Sequence, residues 1–291
     1  MTPGFGCVVT TTGSRPEDLD LALDSLLRQE GVDVQAVVVG NPWEPTGLPP
    51  GVRGVALPRA VGIPAGRNAG VPHVEGELLF FLDDDASLAE PDALTRVARL
   101  FEEDPKLGLL QLRVDPRDGG RPLREWVPRL RPGDPSRSGD VTAVWEGAVA
   151  MPRRVFEEVG GWTDELVYVH EGVDLAWRVM DAGYRVHYAG DVAALHPTPP
   201  PGTRLARHGY SLYHGARNRV WLARRYLPLP LAAMYVASFA LRTVPRLMRS
   251  PDWKEAVRGY RDGMRLPCGG RHRLRARTLW RMTRAGRPPI V

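Results

Sequence analysis

Three consecutive aspartates, Asp83-Asp84-Asp85, close the apolar run Leu78-Leu79-Phe80-Phe81-Leu82. Carboxylates crowded in this way repel one another unless a cation or hydrogen-bond donors neutralise them. Hard divalent cations favour carboxylate oxygens. Mg²⁺ or Mn²⁺ held there would grip a diphosphate and stabilise a departing phosphate group. Read alone, the cluster could also be a solvated acidic turn capping the next helix; the buried strand in front of it favours a site. A second acidic pair, Glu171 and Asp174, stands three residues apart in the segment His170 to Arg178. Both lie at one helix start, where the helix dipole favours carboxylates. Capping explains the pair taken by itself. Beside a metal-diphosphate site, either carboxylate could be the general base on an acceptor hydroxyl. His196 follows the apolar run Val192 to Leu195. A lone histidine is usually structural, but with Asp85 it could complete a mixed oxygen and nitrogen metal site. Arg67 offers a rigid fork for phosphate. No Walker loop, dinucleotide fingerprint or serine nucleophile elbow is visible.

These residues need elements to hold them. Gly6 to Thr10 is a short apolar run fit for a buried strand, followed by Ser14-Arg15-Pro16-Glu17, which has the spacing of a capping box. Leu19, Leu23, Leu26 and Leu27 recur at helical spacing. Strands are expected at 34–39, 52–57, 78–82 and 107–114, and helices at 64–74 and 91–103. This alternation predicts an α/β fold with a mostly parallel sheet flanked by helices. Ligands bind beyond the carboxyl ends of such strands, which is where the aspartates fall. Residues 115–140, rich in Pro, Gly, Arg and Asp, read as a mobile surface loop. Regular structure resumes at 141–151, with helices at 152–159 and 171–182 and a strand at 185–189. The proline-rich run 197–202 ends this part of the chain.

The chain has 291 residues and a net charge of +5, with 43% apolar and 25% charged residues. These values exclude a wholly disordered chain and a polytopic membrane protein. Two cysteines cannot build a disulfide scaffold or a thiolate metal site, and the start lacks the features of a signal peptide, so a cytoplasmic setting is expected. The charge is divided. Residues 1–200 carry 19 basic and 31 acidic side chains, whereas residues 201–291 carry 20 basic and 3 acidic ones. A basic region of this kind meets something anionic.

Six segments together resemble the family 2 glycosyltransferases, near the bacterial rhamnosyltransferases. They are Val8-Val9-Thr10 with Arg15-Pro16, Gly66-Arg67-Asn68-Ala69-Gly70, Phe81 to Asp85, Gly160 to Glu165, Glu171 to Arg178, and His196. The match spans about residues 6–222. The resemblance implies a GT-A fold over residues 1–203. It also implies inverting transfer from a nucleotide diphosphate sugar to an acceptor hydroxyl, with a divalent cation. Lipid-linked and cell-wall glycans are the acceptors in view. Thr10 and Arg15 would lie in the nucleotide-binding loop, and Arg67 and Asn68 would face the donor. Asp83 and Asp85 match the DxD pair, with Asp84 between them in the donor set and His196 as a further metal contact. Gly161 and Trp162 match an acceptor-side turn. Glu171 and Asp174 match the motif of the catalytic base, with Glu171 slightly favoured. Gly40 stands where the family usually has a base-recognising Asp, so Asn41 is the candidate substitute.

Residues 204–291 are expected to be an Arg-rich helical region. Arg217 and Asn218 resemble a segment that follows the catalytic core in some members and are placed near the acceptor entrance. The uncharged stretch 226–241 contains Pro228 and Pro230 and is shorter than the roughly 20 residues of a membrane span. Apolar residues between arginine clusters suit either an anionic bilayer surface or a packed helix. Nucleic acid is the weakest candidate partner, because no recognised module accompanies the arginines. Two other functions fit the residues less well: a sugar-phosphate nucleotidyltransferase, which would release pyrophosphate, and a noncatalytic sugar-nucleotide or membrane-binding protein.

Overall fold

The computed structural model describes residues 2–198, 208–247 and 250–290. The expected boundary at 203/204 lies outside these residues. Nine strands among them form one sheet: β1 (Gly4–Thr11), β2 (Asp33–Gly40), β3 (Arg53–Ala56), β4 (Leu78–Asp83), β5 (Ser87–Leu88), β6 (Leu107–Pro116), β7 (Gly139–Asp140), β8 (Ala148–Pro152) and β9 (Arg185–His196). The order is β3-β2-β1-β4-β8-β6-β9-β5, with β7 beside β9.

The central strands are apolar on both faces, as a sheet covered on both sides requires. Side chains alternate between those faces. Val8, Val37, Val39, Leu79 and Phe81 enter one buried cluster, while Cys7, Val9, Val38, Phe80 and Leu82 enter the other. Helices α1 (Pro16–Leu27) and α3 (Ala93–Glu103) cover the second face through Leu19, Leu23, Leu26, Leu94 and Val97. The first face is covered by α4 (Arg153–Glu158), α5 (Glu171–Ala182) and the C-terminal helices.

Strand direction explains how distant residues meet. β1, β2, β3 and β4 run parallel. β8 is antiparallel to both β4 and β6, so β6 again points the same way as β4, and β9 runs parallel to β6. The carboxyl ends of β1, β2, β4 and β9 therefore share one edge. Thr10 pairs with Asp83, Thr11 with Gly40, and Pro116 with His196 at that edge. The strand expected at 185–189 continues to His196, so the apolar run before this histidine belongs to the sheet.

Helix α2 (Ile63–Gly70) lies close against the ends of β1 and β2. A Cβ at Gly66 would sit 2.6 Å from Thr10 Cγ2, so only glycine permits this approach. The capping box expected at Ser14 does not form. Arg15 occupies the cap position of α1 without a side-chain bond to the helix, and Ser14 Oγ instead meets Thr12 Oγ1.

Helices α6 (His208–Tyr226), α7 (Leu229–Leu247), α8 (Trp253–Arg265) and α9 (Ala276–Arg284) make up the basic region. Leu222, Tyr226, Tyr235 and Met282 from this region pack in the same cluster as Trp177 and Val179 of α5. Among the described residues, no helix is long and apolar enough to cross a membrane.

Candidate active site

At the end of β4 the three aspartates diverge, and each finds a different partner. Asp83 accepts a bond from Arg67 Nη2 at 2.8 Å. Asp84 accepts one from Thr11 Oγ1, and Arg15 bridges Asp84 and Asp85 with its two terminal amino groups. His196 Nε2 lies 3.1 Å from the second oxygen of Asp85. Burial pushes the Asp84 carboxyl up to about 6, against the pull of Thr11 and Arg15. Burial also acts on Asp85, but there the bond and charge of His196, with Arg15, hold the carboxyl below its ordinary value. Burial likewise works against the charged form of His196, and Asp85 outweighs it, so the imidazole pKa is raised.

Asp83, Asp85 and His196 each offer a ligand atom, and these atoms lie within 4.8 Å of one another. Two carboxylates and an imidazole suit Mg²⁺ or Mn²⁺. His196 Nδ1 is 2.8 Å from the Pro197 carbonyl, a contact that holds the ring and leaves Nε2 facing the carboxylates. Trp126 and Trp145 set their rings edge-on to His196, each at 5.2 Å between centroids. Trp126 comes from the stretch read as a surface loop, yet it is buried, and its carbonyl accepts a bond from Gln111.

The start of α5 is built differently. The approaching loop holds Val167, Val169 and His170 at φ of 63°, 56° and 69°. Positive φ is costly for non-glycine residues, above all for β-branched ones, and persists only where the surroundings impose it. Here α6 imposes it. Asn218 Nδ2 donates to the carbonyls of Leu166, Tyr168 and Val169, at 2.9, 2.9 and 2.8 Å. Arg217 Nη2 donates to those of Glu165 and Leu166, at 2.9 and 3.0 Å. Both residues are buried and spend these groups on the loop that leads into Glu171.

Glu171 and Asp174 then part ways. Asp174 is fully buried and takes bonds from Tyr226 Oη at 2.6 Å, Thr163 Oγ1 at 2.7 Å, and Arg178 Nε and Nη2 at 2.9 and 2.7 Å. Arg178 also donates to the carbonyls of Val159 and Gly161, so Asp174 organises the turn before it. Glu171 is buried too, but its Oε2 has no hydrogen-bond partner among the described residues. Burial, then the nearby Glu146, pushes its carboxyl up to about 8. Glu146 was missed in the sequence. Its carbonyl accepts from Arg67 at 3.0 Å and its carboxylate from the Gly172 N–H. Loss of water around that carboxyl raises its pKa. A charged residue inside the apolar stretch 141–151 was the available signal.

The remaining expected residues join these two centres or brace them. Arg67 is buried between Asp83 and Glu146, its Nη1 lacks a partner among the described residues, and its Cζ lies 4.8 Å from the Trp162 ring centroid. Asn68 exchanges bonds with the Trp162 backbone, at 2.8 and 2.9 Å, and donates to Asp164 at 2.6 Å. Gly161, at φ +70°, makes this turn possible. Asn41 uses both ends of its amide on the backbone of Val61 and Gly62, each at 2.8 Å. Thr10 Oγ1 is buried without a partner among the described residues.

Residues 7–160 match the model for glycosyl transferase family 2. Among solved structures, S. aureus TarS residues 1–349 in complex with UDP-GlcNAc is similar, with a TM-score of 0.63 at 15% identity, covering 90% of this chain and 80% of that one. The mannosyltransferase PcManGT from Pyrobaculum calidifontis, in complex with GDP-Man and Mn²⁺, gives a TM-score of 0.58 at 17% identity over 91% of this chain and 88% of that one. GalNAc-T7 with UDP, GalNAc and Mn²⁺ gives 0.56 at 14% identity over 75% of this chain, which spans only 51% of that protein. No curated protein sequence matches this chain significantly.

Proposed function

Because the chain belongs to glycosyl transferase family 2, we propose that it transfers a sugar from a nucleotide diphosphate sugar to an acceptor hydroxyl, with inversion and with Glu171 as the base. The carrying observation is the unpartnered Glu171 Oε2, buried beside Glu146 and Arg67 near the Asp83-Asp85-His196 group. Asp174 has four donors on its carboxylate and no comparable freedom.

The mechanism is a single displacement. Glu171 takes the proton of the acceptor hydroxyl as its oxygen attacks the anomeric carbon. The bond from that carbon to the diphosphate breaks on the opposite face, and its electron pair leaves with the nucleoside diphosphate. Arg67, which bonds Asp83 and keeps Nη1 unpartnered among the described residues, would set its positive charge behind that diphosphate. Thr10 Oγ1, at the end of β1, is free to bond the donor as well. A divalent cation held by Asp83, Asp85 and His196 would supply Lewis-acid stabilisation of the leaving group. Of the three solved neighbours, one carries UDP-GlcNAc, one GDP-Man with Mn²⁺, and one UDP and GalNAc with Mn²⁺. That supports the same donor class and a divalent cation here.

The excess of arginine in residues 201–291 supports work at an anionic surface, on the inner face of a membrane and on a lipid-linked or cell-wall glycan. Leu241, Trp253 and Trp280 are exposed on its helices, as an interfacial site would need.

The test is a thermal-shift screen of nucleotide diphosphate sugars with and without Mn²⁺. A ligand of the native state raises its melting temperature. UDP-GlcNAc or GDP-mannose should raise it only with the cation present. No shift from any donor would count against the reading, and pyrophosphate release from a nucleoside triphosphate and a sugar phosphate would replace it with nucleotidyl transfer.

A further inference from the structure

A concavity lies where α6 packs on α8. It has a volume of about 390 Å³ and is lined by Gly209, Tyr210, Tyr213 and His214 of α6 and by Glu255 and Arg258 of α8. That size falls within the roughly 300–1,000 Å³ of small-molecule sites.

The wall is a run of rings. Tyr210 and His214 lie 4.4 Å apart between centroids, and His214 and Tyr213 lie 5.0 Å apart. Tyr210, 51% exposed, also meets Tyr168 at 5.4 Å. Tyr168 belongs to the loop that Asn218 holds in front of Glu171, so the ring run starts three residues from the proposed base. His214 is only 6% exposed, and its Nδ1 has no hydrogen-bond partner among the described residues. Burial, with the Arg217 charge, lowers its pKa to about 4, so the ring is neutral near pH 7. Arg258 stands over the Tyr213 ring at 5.2 Å and faces Glu255 at 3.5 Å and Asp262 at 3.7 Å.

Each feature selects against other occupants. Two carboxylates already balance Arg258, so the groove does not favour a phosphate. Charged side chains on its α8 side disfavour a hydrocarbon chain. An aromatic face flanked by a carboxylate and a guanidinium suits a ring with apolar C–H groups on one face and hydroxyls around its edge. Aromatic rings bury large apolar area, and planar polar groups bond paired hydroxyls in fixed directions.

We propose that this groove is a pyranose subsite for the acceptor glycan, with Tyr210 as its stacking platform. The proposal rests on the sugar-transfer reading and gives it an acceptor class: a neutral saccharide rather than a lone lipid or a protein side chain.

Saturation-transfer NMR on the full chain tests it. The probes are methyl β-D-glucopyranoside, methyl α-D-mannopyranoside and methyl β-N-acetylglucosaminide. Irradiation of the tyrosine ring protons should pass saturation to at least one of them. Tyr210→Ala should weaken that binding about tenfold, and Tyr210→Phe, which keeps the ring, should restore it. Unfolding temperatures of the variants confirm that both fold. Absence of transfer to every pyranoside, or unchanged binding in Tyr210→Ala, would overturn the proposal. Release of nucleoside diphosphate from the donor by the wild-type chain is followed separately. Its absence alongside pyranoside binding would strike the catalytic reading and leave the subsite standing.

Discussion

The end of β4 and the start of α5 both gather buried carboxylates, and they stabilise them in opposite ways. At β4, Arg15, Arg67, Thr11 and His196 surround Asp83, Asp84 and Asp85, and Asp85 stays charged. At α5 the donors converge on Asp174 alone, and Glu171 next door is left with a free oxygen and a pKa near 8. A carboxylate paired as Asp85 is, with His196 and Arg15, is favoured as an anion fit to bind a cation, whereas at Asp84 burial outweighs the donors and raises the pKa to about 6. One buried without donors takes up a proton readily. The residue type is shared, and the neighbours decide the role.

The contrast can be broken first at β4. Asp85→Ala should lower sugar transfer by about 10³-fold or more, since it removes a metal ligand along with the charge that holds His196. Its melting temperature without metal should fall by less than that of Asp174→Asn, because His196 loses its carboxylate while Arg15 keeps Asp84 as a partner. Isothermal titration with Mn²⁺ and a transfer assay read both effects. Asp174→Asn should act on stability instead. It leaves Arg178 and Tyr226 without their anion, a change that costs about 3–5 kcal/mol where a buried pair is broken. Urea unfolding should show the loss, with the activity of the folded fraction reduced less than in Asp85→Ala. The smallest effect is in pH dependence. The Glu171 carboxyl is raised from 4.5 to about 8 in the folded chain. Between those values the folded state binds the extra proton, so this group favours folding below pH 4.5 and its contribution is lost as pH rises through about 8. Glu171→Gln should flatten this part of the stability curve, and Asp174→Asn should leave it in place.

The sequence was most readable where structure is local. The apolar run into Asp83-Asp84-Asp85 is β4 and its end, and the helix expected at 171–182 is α5. Alternating apolar segments were enough for the α/β layers. What escaped depended on partners far along the chain. The sequence places Asp174 three residues from Glu171 but gives no sign that Tyr226, 52 residues away, bonds its carboxylate. Arg15 looks like the middle of a capping box until Asp84 and Asp85, about 70 residues on, draw it away from the helix. Arg217 and Asn218 stand out in the sequence, but their grip on the carbonyls of the loop before Glu171 could not be seen without that loop's left-handed turns. The basic C-terminal region shows the same limit. Its charge was plain from composition, whereas Tyr226 and Tyr235 pack against Trp177 by contacts that no local pattern encodes.

The most direct measurement compares wild type with Glu171→Gln in the release of nucleoside diphosphate from whichever donor binds, at saturating Mn²⁺, with donor affinity measured alongside. The expected result is a fall in rate of about 10²–10⁴-fold, the range for losing a general base, with donor affinity and folding retained. Release at the wild-type rate by Glu171→Gln would contradict the assignment of the free carboxylate as the base.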